Sequence, residues 1–505
     1  MVKAPLIDLI GQSLKRFGPR RALTFLRGGE VQTRLSFEDL DEDSDRLAKT
    51  FSEQGLEPGD RAVLYLPKSV AFVAAHLAVQ KVGAVSVPLN PAFKEREAAY
   101  FFETTAPKLA VVGPEQAAVV RRIGTAARLQ IYDPGQPYAR PEGRADFRPV
   151  HVPSLEDPAI LLFTSGTTGR PKGAVLTQGN LSHDAQNIAR IWEMGAADRL
   201  CHALPLFHAH GLCFALHTAL LSGTSLVMLD AFDPEIVLRV LAQKEGELAS
   251  TMFMAVPTMY ARLLDHPPVH GDFSHLRLMT SGSAPLLARD FERVRRFFGH
   301  EPVEREGMSE TGMNFSNPFS GPRKAGSIGL PLPGLEVRIV DPVRGEDVLA
   351  SQVGELWLRG PSITPGYWRM PAETEAAFTQ GWFRTGDLGR QDEDGYYFLT
   401  DRLKHIIISG GENVSPMEIE QVIQMDEEVV ESAVVGVPDD TWGERVVAAV
   451  VLRPGSLRRP EEIQRLCREH LLNWKCPKEI RLVEALPRNS MGKVLKEKVQ
   501  TLFSR

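Results

Sequence analysis

One junction constrains this chain more than any other feature: the apolar run Ala159-Ile160-Leu161-Leu162-Phe163 passes directly into Thr164-Ser165-Gly166-Thr167-Thr168-Gly169-Arg170-Pro171-Lys172-Gly173. Five consecutive apolar residues bounded by turn residues read as a strand buried on both faces. The glycines that follow let the backbone turn tightly and present its N–H groups to an anion. Three threonines and a serine add hydroxyl donors, and Arg170 and Lys172 add positive charge. Open α/β sheets hold ligands at such strand ends. The junction therefore calls for an α/β fold with much parallel sheet.

The rest of the chain fits that expectation. Asp60–Tyr65 reads as a short buried strand, Ser69–Val82 as a helix with a broad apolar face ended by Gly83, and Val85–Pro88 as the next strand. Leu6, Ile7, Leu9, Ile10 and Leu14 mark one face of an N-terminal amphipathic helix. Residues 133–153 are rich in Pro, Gly and Arg and read as a surface connection. Gly173–Leu176 reads as a strand, with a helix from Asn180, and Leu226–Leu229 and Leu276–Met279 as further strands. Val337–Val340, Gly354–Leu358 and Tyr396–Leu399 read as strands of a smaller β-rich part. Beyond residue 402 come a helix at Met417–Gln424, strands at Glu431–Val435 and Val446–Leu452, and a helix at Pro460–Leu472. The expected architecture is α/β. A large N-terminal multi-subdomain α/β part with a β-rich subdomain spans 1–401, and a small mobile α+β C-terminal domain spans 402–505.

Composition excludes several classes. The 505 residues carry 58 basic and 64 acidic side chains, a net charge of -6, which argues against a nucleic-acid partner held on a basic face. No apolar run approaches the roughly 20 residues of a membrane span, and Val70–Pro88 is broken by His76, Gln80 and Lys81. No stable membrane insertion is expected. Cys201, Cys213, Cys467 and Cys476 show no CxxC spacing, which disfavours a disulfide framework or a zinc site and fits a reducing cytoplasm. A monomer or homodimer is expected.

A Walker A loop needs Gly directly before its Lys and Ser or Thr after it. Pro171 and Gly173 flank Lys172, which excludes that reading. The loop instead resembles the phosphate-binding signature of the adenylate-forming superfamily, which includes acyl-CoA synthetases, luciferases and peptide-synthetase adenylation domains. Its other motifs follow in order, so the resemblance covers nearly the whole chain. It implies ATP, Mg²⁺ and coenzyme A as cofactors and a small carboxylic acid as substrate. It assigns Thr164, Ser165, Gly166, Thr167, Thr168, Gly169 and Lys172 to the phosphates.

Glu304-Arg305-Glu306-Gly307-Met308-Ser309-Glu310-Thr311 resembles the adenine and magnesium motif, with Ser309 at the α-phosphate and Glu310 as the metal ligand. Gly381–Asp387 (GWFRTGD) resembles the ribose motif, where Asp387 accepts from both ribose hydroxyls. Asp401-Arg402-Leu403-Lys404 resembles the hinge motif, with Arg402 approaching ribose and phosphate and Lys404 as pivot. Ser409-Gly410-Gly411 resembles the loop that meets coenzyme A. Pro487–Lys493 (PRNSMGK) resembles the C-terminal lysine motif, in which Lys493 bridges the carboxylate and the α-phosphate.

Three positions depart from the family pattern. Glu306 stands where an aromatic residue usually stacks on adenine, Asp401 where Gly is common, and His405 where Asp is common. Losing a base stack costs about 1–3 kcal/mol, roughly a tenfold to hundredfold weaker ATP site.

The resemblance implies an acyl-CoA synthetase acting through an acyl-adenylate. Leu204–Gly211 (LPLFHAHG) resembles the segment beside the acyl pocket, with His208 as its gate. Val256–Leu263, Ser281–Leu286 and Glu310–Pro318 resemble malonyl-CoA synthetases more than fatty-acid enzymes. In that reading Arg262 clamps the distal carboxylate of a short dicarboxylic acid and Ser283 lines the pocket. A fatty-acid or aryl-acid CoA ligase needs an apolar tunnel and stays open as an alternative. So does a catalytically weak nucleotide-binding protein, on the strength of Glu306.

Overall fold

The computed structural model describes residues 3–164, 170–266, 271–349, 351–488 and 494–503. The chain divides into two compact units, Met1–Glu336 with Leu358–Phe383, and Val337–Trp357 with Arg384–Arg505.

Two largely parallel sheets build the first unit. In one, Arg61–Tyr65 lies between Val85–Pro88 and Leu109–Val112, all parallel. Pro158–Thr164 pairs beyond Val85–Pro88 in the same direction, and Lys172–Thr177 returns antiparallel to it. The apolar run before the glycine loop is thus an interior strand, which is why it does not alternate. In the other sheet Ser225–Leu229, Arg199–His202, Met252–Ala255, Leu278–Ser281 and Val303–Met308 run parallel in that order. Gly312–Ser316 turns back antiparallel to Val303–Met308.

Local chemistry sets the helix ends. Ser69 caps Val70–Val82 by accepting from Phe72 N, and Gly83 ends that helix at φ 82. Every residue of this helix except Lys81 is buried, so its apolar face is broad because it packs on more than one side. The helix Gln178–Ile191 begins two residues before the Asn180 expected from sequence. Asn180 is the third helical residue of a capping box: it donates its N–H to Thr177 Oγ1 at 3.1 Å and its Oδ1 accepts Thr177 N at 3.0 Å. The strand expected at Leu276–Met279 lies at Leu278–Ser281. Leu276 is spent on a turn with Phe273, and two polar residues, Thr280 and Ser281, complete the buried strand.

In the second unit Asp387–Gln391 pairs antiparallel with Tyr397–Arg402. Val429–Asp439 and Gly443–Leu452 form a long antiparallel ribbon, and Glu479–Leu482 adds a parallel strand. Helices Pro416–Ile423 and Pro460–His470 cover one face through Ile419, Val422, Ile423, Ile463 and Cys467. All four cysteines are buried and free. Among the described residues no helix is long and apolar enough to cross a membrane.

Asp401, one of the departures from the family pattern, has a local structural task. Its Oδ2 accepts Ser415 Oγ at 2.7 Å and Met417 N at 2.9 Å, at the start of the helix Pro416–Ile423. The carboxylate is buried. Asp401→Ala is expected to lower stability by about 1–3 kcal/mol through the orphaned donors. A reduced urea midpoint, with faster amide exchange in residues 416–423, checks this; an unchanged midpoint refutes it.

Candidate active site

The strand before the glycine loop ends at Thr164, whose Oγ1 donates to Glu310 Oε1 at 3.0 Å. Tyr367 OH donates to the same oxygen at 3.2 Å, and the Glu310 backbone carbonyl accepts Thr364 N at 2.7 Å. Burial, reinforced by the Glu310 carboxylate, pushes the Tyr367 phenol above its usual range, so it stays a donor. Lys172 opens the return strand, with Nζ 5.2 Å from the Tyr367 ring centroid. Ser165, Gly166, Thr167, Thr168 and Gly169 fall between these groups and lie outside the described residues, as does Lys493.

Glu310 is 7% exposed, and among the described residues its Oε2 has no partner. A hard carboxylate oxygen suits Mg²⁺, which takes one or two carboxylates and fills its other positions with water and phosphate. Among the described residues no cluster of three His, Cys, Asp or Glu makes an all-protein cage. Ser309 and Met308 line a small pocket, no larger than a water molecule, with Asn180, Asp184, Cys213 and Phe214. Glu306 Oε2 accepts Asn314 Nδ2 at 3.0 Å, and the same amide donates to Thr311 Oγ1 at 2.8 Å.

On the acyl side, the segment after His208 forms a π-helical stretch, His210–His217. Such wide turns are rare and recur at functional sites. Gly211 is required there, because a Cβ would stand 2.0 Å from the Pro205 carbonyl oxygen. His208 packs on Phe207 with centroids 4.5 Å apart. His210 Nδ1 lies 3.4 Å from Ser283 Oγ, so the stretch that follows His208 reaches the expected pocket residue Ser283. Ser283 has φ 69, a left-handed conformation that serine seldom adopts. Arg262 is exposed on the helix Pro257–Leu264, its guanidinium 4.9 Å from the Phe232 ring centroid. Among the described residues it makes no ion pair.

Buried titratable groups support this wall. Lys68 Nζ donates to His202 Nδ1 at 2.9 Å and to the His202 carbonyl at 2.7 Å. That leaves His202 Nε2–H to donate to the Gly211 carbonyl at 2.9 Å. Burial pulls Lys68 down to about 7. Burial also pushes Asp184 up to about 7, against the opposing pull of Met313 N–H and Arg305.

In the second unit Asp387 is buried, and Arg402 Nε meets its Oδ1 at 2.8 Å and Nη2 its Oδ2 at 3.4 Å. Lys404 sits in the short turn Leu403–His405, its basicity lowered by burial and by Arg402. Gly410 and Gly411, at φ 61 and 84, form the two-residue hairpin between Ile407–Ser409 and Glu412–Val414. Gly410 N donates to Trp442 O at 2.8 Å.

Sequence reasoning misses Tyr367, Asp184 and Lys68, which lie outside every quoted motif, and Asn314, which lies inside the quoted segment Glu310–Pro318. It also passes over Arg305, which lies inside another.

The Asp184 shift has a definite sign. Its folded value of about 7 lies above the ordinary carboxylate value near 4, so between about 4 and about 7 the folded state holds a proton that the unfolded chain releases. Stability from this group therefore falls as pH rises through that window and levels off above it. Asp184→Asn is expected to flatten the fall in Tm between pH 5 and pH 7; an unchanged slope refutes the assignment.

Comparison with known proteins agrees with this geometry. The AMP-binding enzyme family matches residues 11–368, and the AMP-binding enzyme C-terminal domain matches residues 418–493. The mitochondrial malonate–CoA ligase ACSF3 of Mus musculus is 36% identical over 88% of this chain and 83% of its own. Feruloyl-CoA synthase of Amycolatopsis sp is 35% identical over 93% of this chain and 94% of its own. The crystal structure of ATP-bound MatB from Rhodopseudomonas palustris superposes with a TM-score of 0.91 at 35% identity, over 98% of this chain and 99% of that one. The chain belongs to the AMP-binding enzyme family and is an AMP-forming acyl-CoA ligase.

Proposed function

We propose that the chain activates a short dicarboxylic acid, malonate or a close relative, with ATP and Mg²⁺ and transfers the acyl group to coenzyme A. The observation that carries the reaction is the convergence of Thr164, Tyr367 and Glu310 on one carboxylate oxygen at the mouth of the glycine loop. The dicarboxylate rests on Arg262, whose guanidinium has no ion-pair partner among the described residues, and on the malonate–CoA ligase relative. An aryl acid, as the feruloyl relative's name suggests, is the competing outcome.

In the first half-reaction a carboxylate oxygen of the acid attacks the α-phosphorus in line, and the bond to pyrophosphate breaks. Catalysis here is positioning plus charge stabilisation. Ser309 would contact the α-phosphate. Thr164, Lys172 and the loop residues Ser165, Gly166, Thr167, Thr168 and Gly169 would hold the departing phosphates. Glu310 would hold Mg²⁺, which supplies charge neutralisation to the phosphate oxygens. Lys493 would bridge the attacking carboxylate and the α-phosphate. Asp387 would exchange its contact with Arg402 for the ribose hydroxyls, freeing Arg402 for ribose and phosphate. In the second half-reaction the coenzyme A thiol, losing its proton, attacks the acyl carbon and AMP leaves. The division at 401/402, with Lys404 as pivot, would withdraw Lys493 and present Ser409, Gly410 and Gly411 to coenzyme A. His208 would gate the acyl pocket beside Ser283.

The test is acid-dependent pyrophosphate release with ATP and Mg²⁺ across malonate, methylmalonate, acetate, octanoate and ferulate. Malonate-dependent release that is lost in Arg262→Ala is expected. Release with apolar or aryl acids alone sinks the dicarboxylate, and no release at saturating ATP sinks the enzyme reading. Lys493→Ala is expected to lose ~10²–10³-fold in adenylation while turning over supplied acyl-adenylate. Equal loss of both steps contradicts the two-pose scheme.

A further inference from the structure

In the second unit Glu355 lies on the buried strand Gly354–Arg359 and is 1% exposed. It belongs to none of the motifs quoted above. A carboxylate at that depth is costly unless donors meet its oxygens. Here they do. Oε2 accepts Trp357 Nε1 at 2.8 Å, and Arg384 Nη2 and Nε at 3.2 and 3.3 Å. Oε1 accepts Gly386 N at 3.1 Å.

These donors come from two places. Trp357 follows on the same strand, where alternation puts its side chain on the face of Glu355. Arg384 and Gly386 belong to the segment that ends in Asp387, the expected ribose ligand. Arg384 also stands over the indole of Trp357, its Cζ 5.6 Å from the ring centroid. Gly386 has φ 70, a conformation that favours glycine, and it turns the chain immediately before Asp387. Thr385 secures the same turn: its Oγ1 donates to Leu356 O at 2.7 Å and accepts Asp387 N at 3.0 Å. The Glu355 side chain and the backbone carbonyl that follows it thus hold the consecutive residues Arg384, Thr385 and Gly386. Asp387 leaves that turn with its buried carboxylate against Arg402.

A group that must meet ribose hydroxyls needs its own backbone fixed beforehand. Resting on the reading of Asp387 as the ribose ligand, we propose that Glu355 is a positioning residue for the nucleotide: it holds the Arg384–Gly386 turn so that Asp387 faces the ribose. Its charge matters more than its shape. An amide of the same size has one acceptor end and one donor end. Whichever way it turns, its NH₂ meets either the Gly386 N–H or the donors of Trp357 and Arg384. Glu355→Gln therefore keeps the volume and loosens the turn.

The test is nucleotide discrimination, read with the acid that gives the fastest pyrophosphate release in the panel above. kcat/KM is measured for ATP and for 2′-deoxy-ATP, which lacks one hydroxyl that Asp387 would hold. The proteins compared are the wild type, Asp387→Asn, Glu355→Gln and Glu355→Asp. The wild type is expected to favour ATP ~10–100-fold, the worth of a hydrogen bond to a charged group. Glu355→Gln is expected to cut that ratio about tenfold, chiefly through the KM for ATP. Should the glutamine variant fail to fold, Glu355→Asp decides: it keeps the charge but falls one methylene short of spanning both sets of donors, and an intermediate ratio is expected. A purely structural role lowers the rate with both nucleotides alike, and an unchanged ratio in a folded Glu355 variant overturns the proposal. If Asp387→Asn loses discrimination all the same, the ribose reading of Asp387 stands without Glu355. A wild type that uses both nucleotides equally overturns the two together.

Discussion

Glu310 Oε1 accepts hydrogen bonds from Thr164, 146 residues upstream, and from Tyr367, 57 residues downstream. A single oxygen thereby fixes the end of the strand before the glycine loop, the acidic motif and the return segment around Gly366 relative to one another. The backbone strengthens the tie, since Thr364 N donates to the Glu310 carbonyl and Val175 N to the Gly366 carbonyl. The contacts are part-buried, and hydrogen bonds to a carboxylate are among the stronger ones a protein makes. They leave the second carboxylate oxygen without a partner among the described residues. A carboxylate held in this way has the rigid support that a hard anionic ligand oxygen requires.

The wall around the π-helical stretch His210–His217 is organised differently. Close backbone approach decides it: Gly211 against Pro205, and Gly282 against Arg305. Neither position tolerates a Cβ, so both segments can pack where a side chain would otherwise stand. Lys68 and His202 then fix the Gly211 carbonyl from behind through a chain of hydrogen bonds with one consistent tautomer. The wall is thus held by buried polar contacts rather than by apolar packing alone. Such networks are rigid when every member is satisfied and open to ligands where one is not.

The elements that the sequence displays best are those whose signal is local. The helix Val70–Val82 shows its cap, its apolar run and its terminal glycine, and it is found within a residue of its expected start. The interior strand before the glycine loop is equally plain. Leu278–Ser281 is displaced from expectation because Thr280 and Ser281 read as a loop until the neighbouring strands bury them. The motif residues themselves are legible, but their partners are not. Tyr367 lies far from Glu310 in sequence, and only the antiparallel return of Lys172–Thr177 and the Gly366 turn bring it near. Arg305 is visible as a residue, yet nothing in its neighbours' types shows that it is buried with its guanidinium unpaired among the described residues.

The departures from the family pattern show how far motif reading reaches. A mismatch seen in a string is scored against the family's partner at that position, while the folded chain scores it against its own neighbours. Asp401 looks like a defect where glycine is common, yet its oxygens hold Ser415 and Met417 at a helix start. Glu306 looks like a lost aromatic, yet Asn314 donates to it and to Thr311 with one amide, tying the two strands of the hairpin together. The first substitution adds a cap where glycine could supply none. The second replaces a flat apolar surface with a fixed carboxylate, and no rearrangement of Asn314 restores a π face. The two changes are therefore not equivalent: one caps a helix, and the other puts a carboxylate, held by Asn314, where the family pattern has an aromatic face.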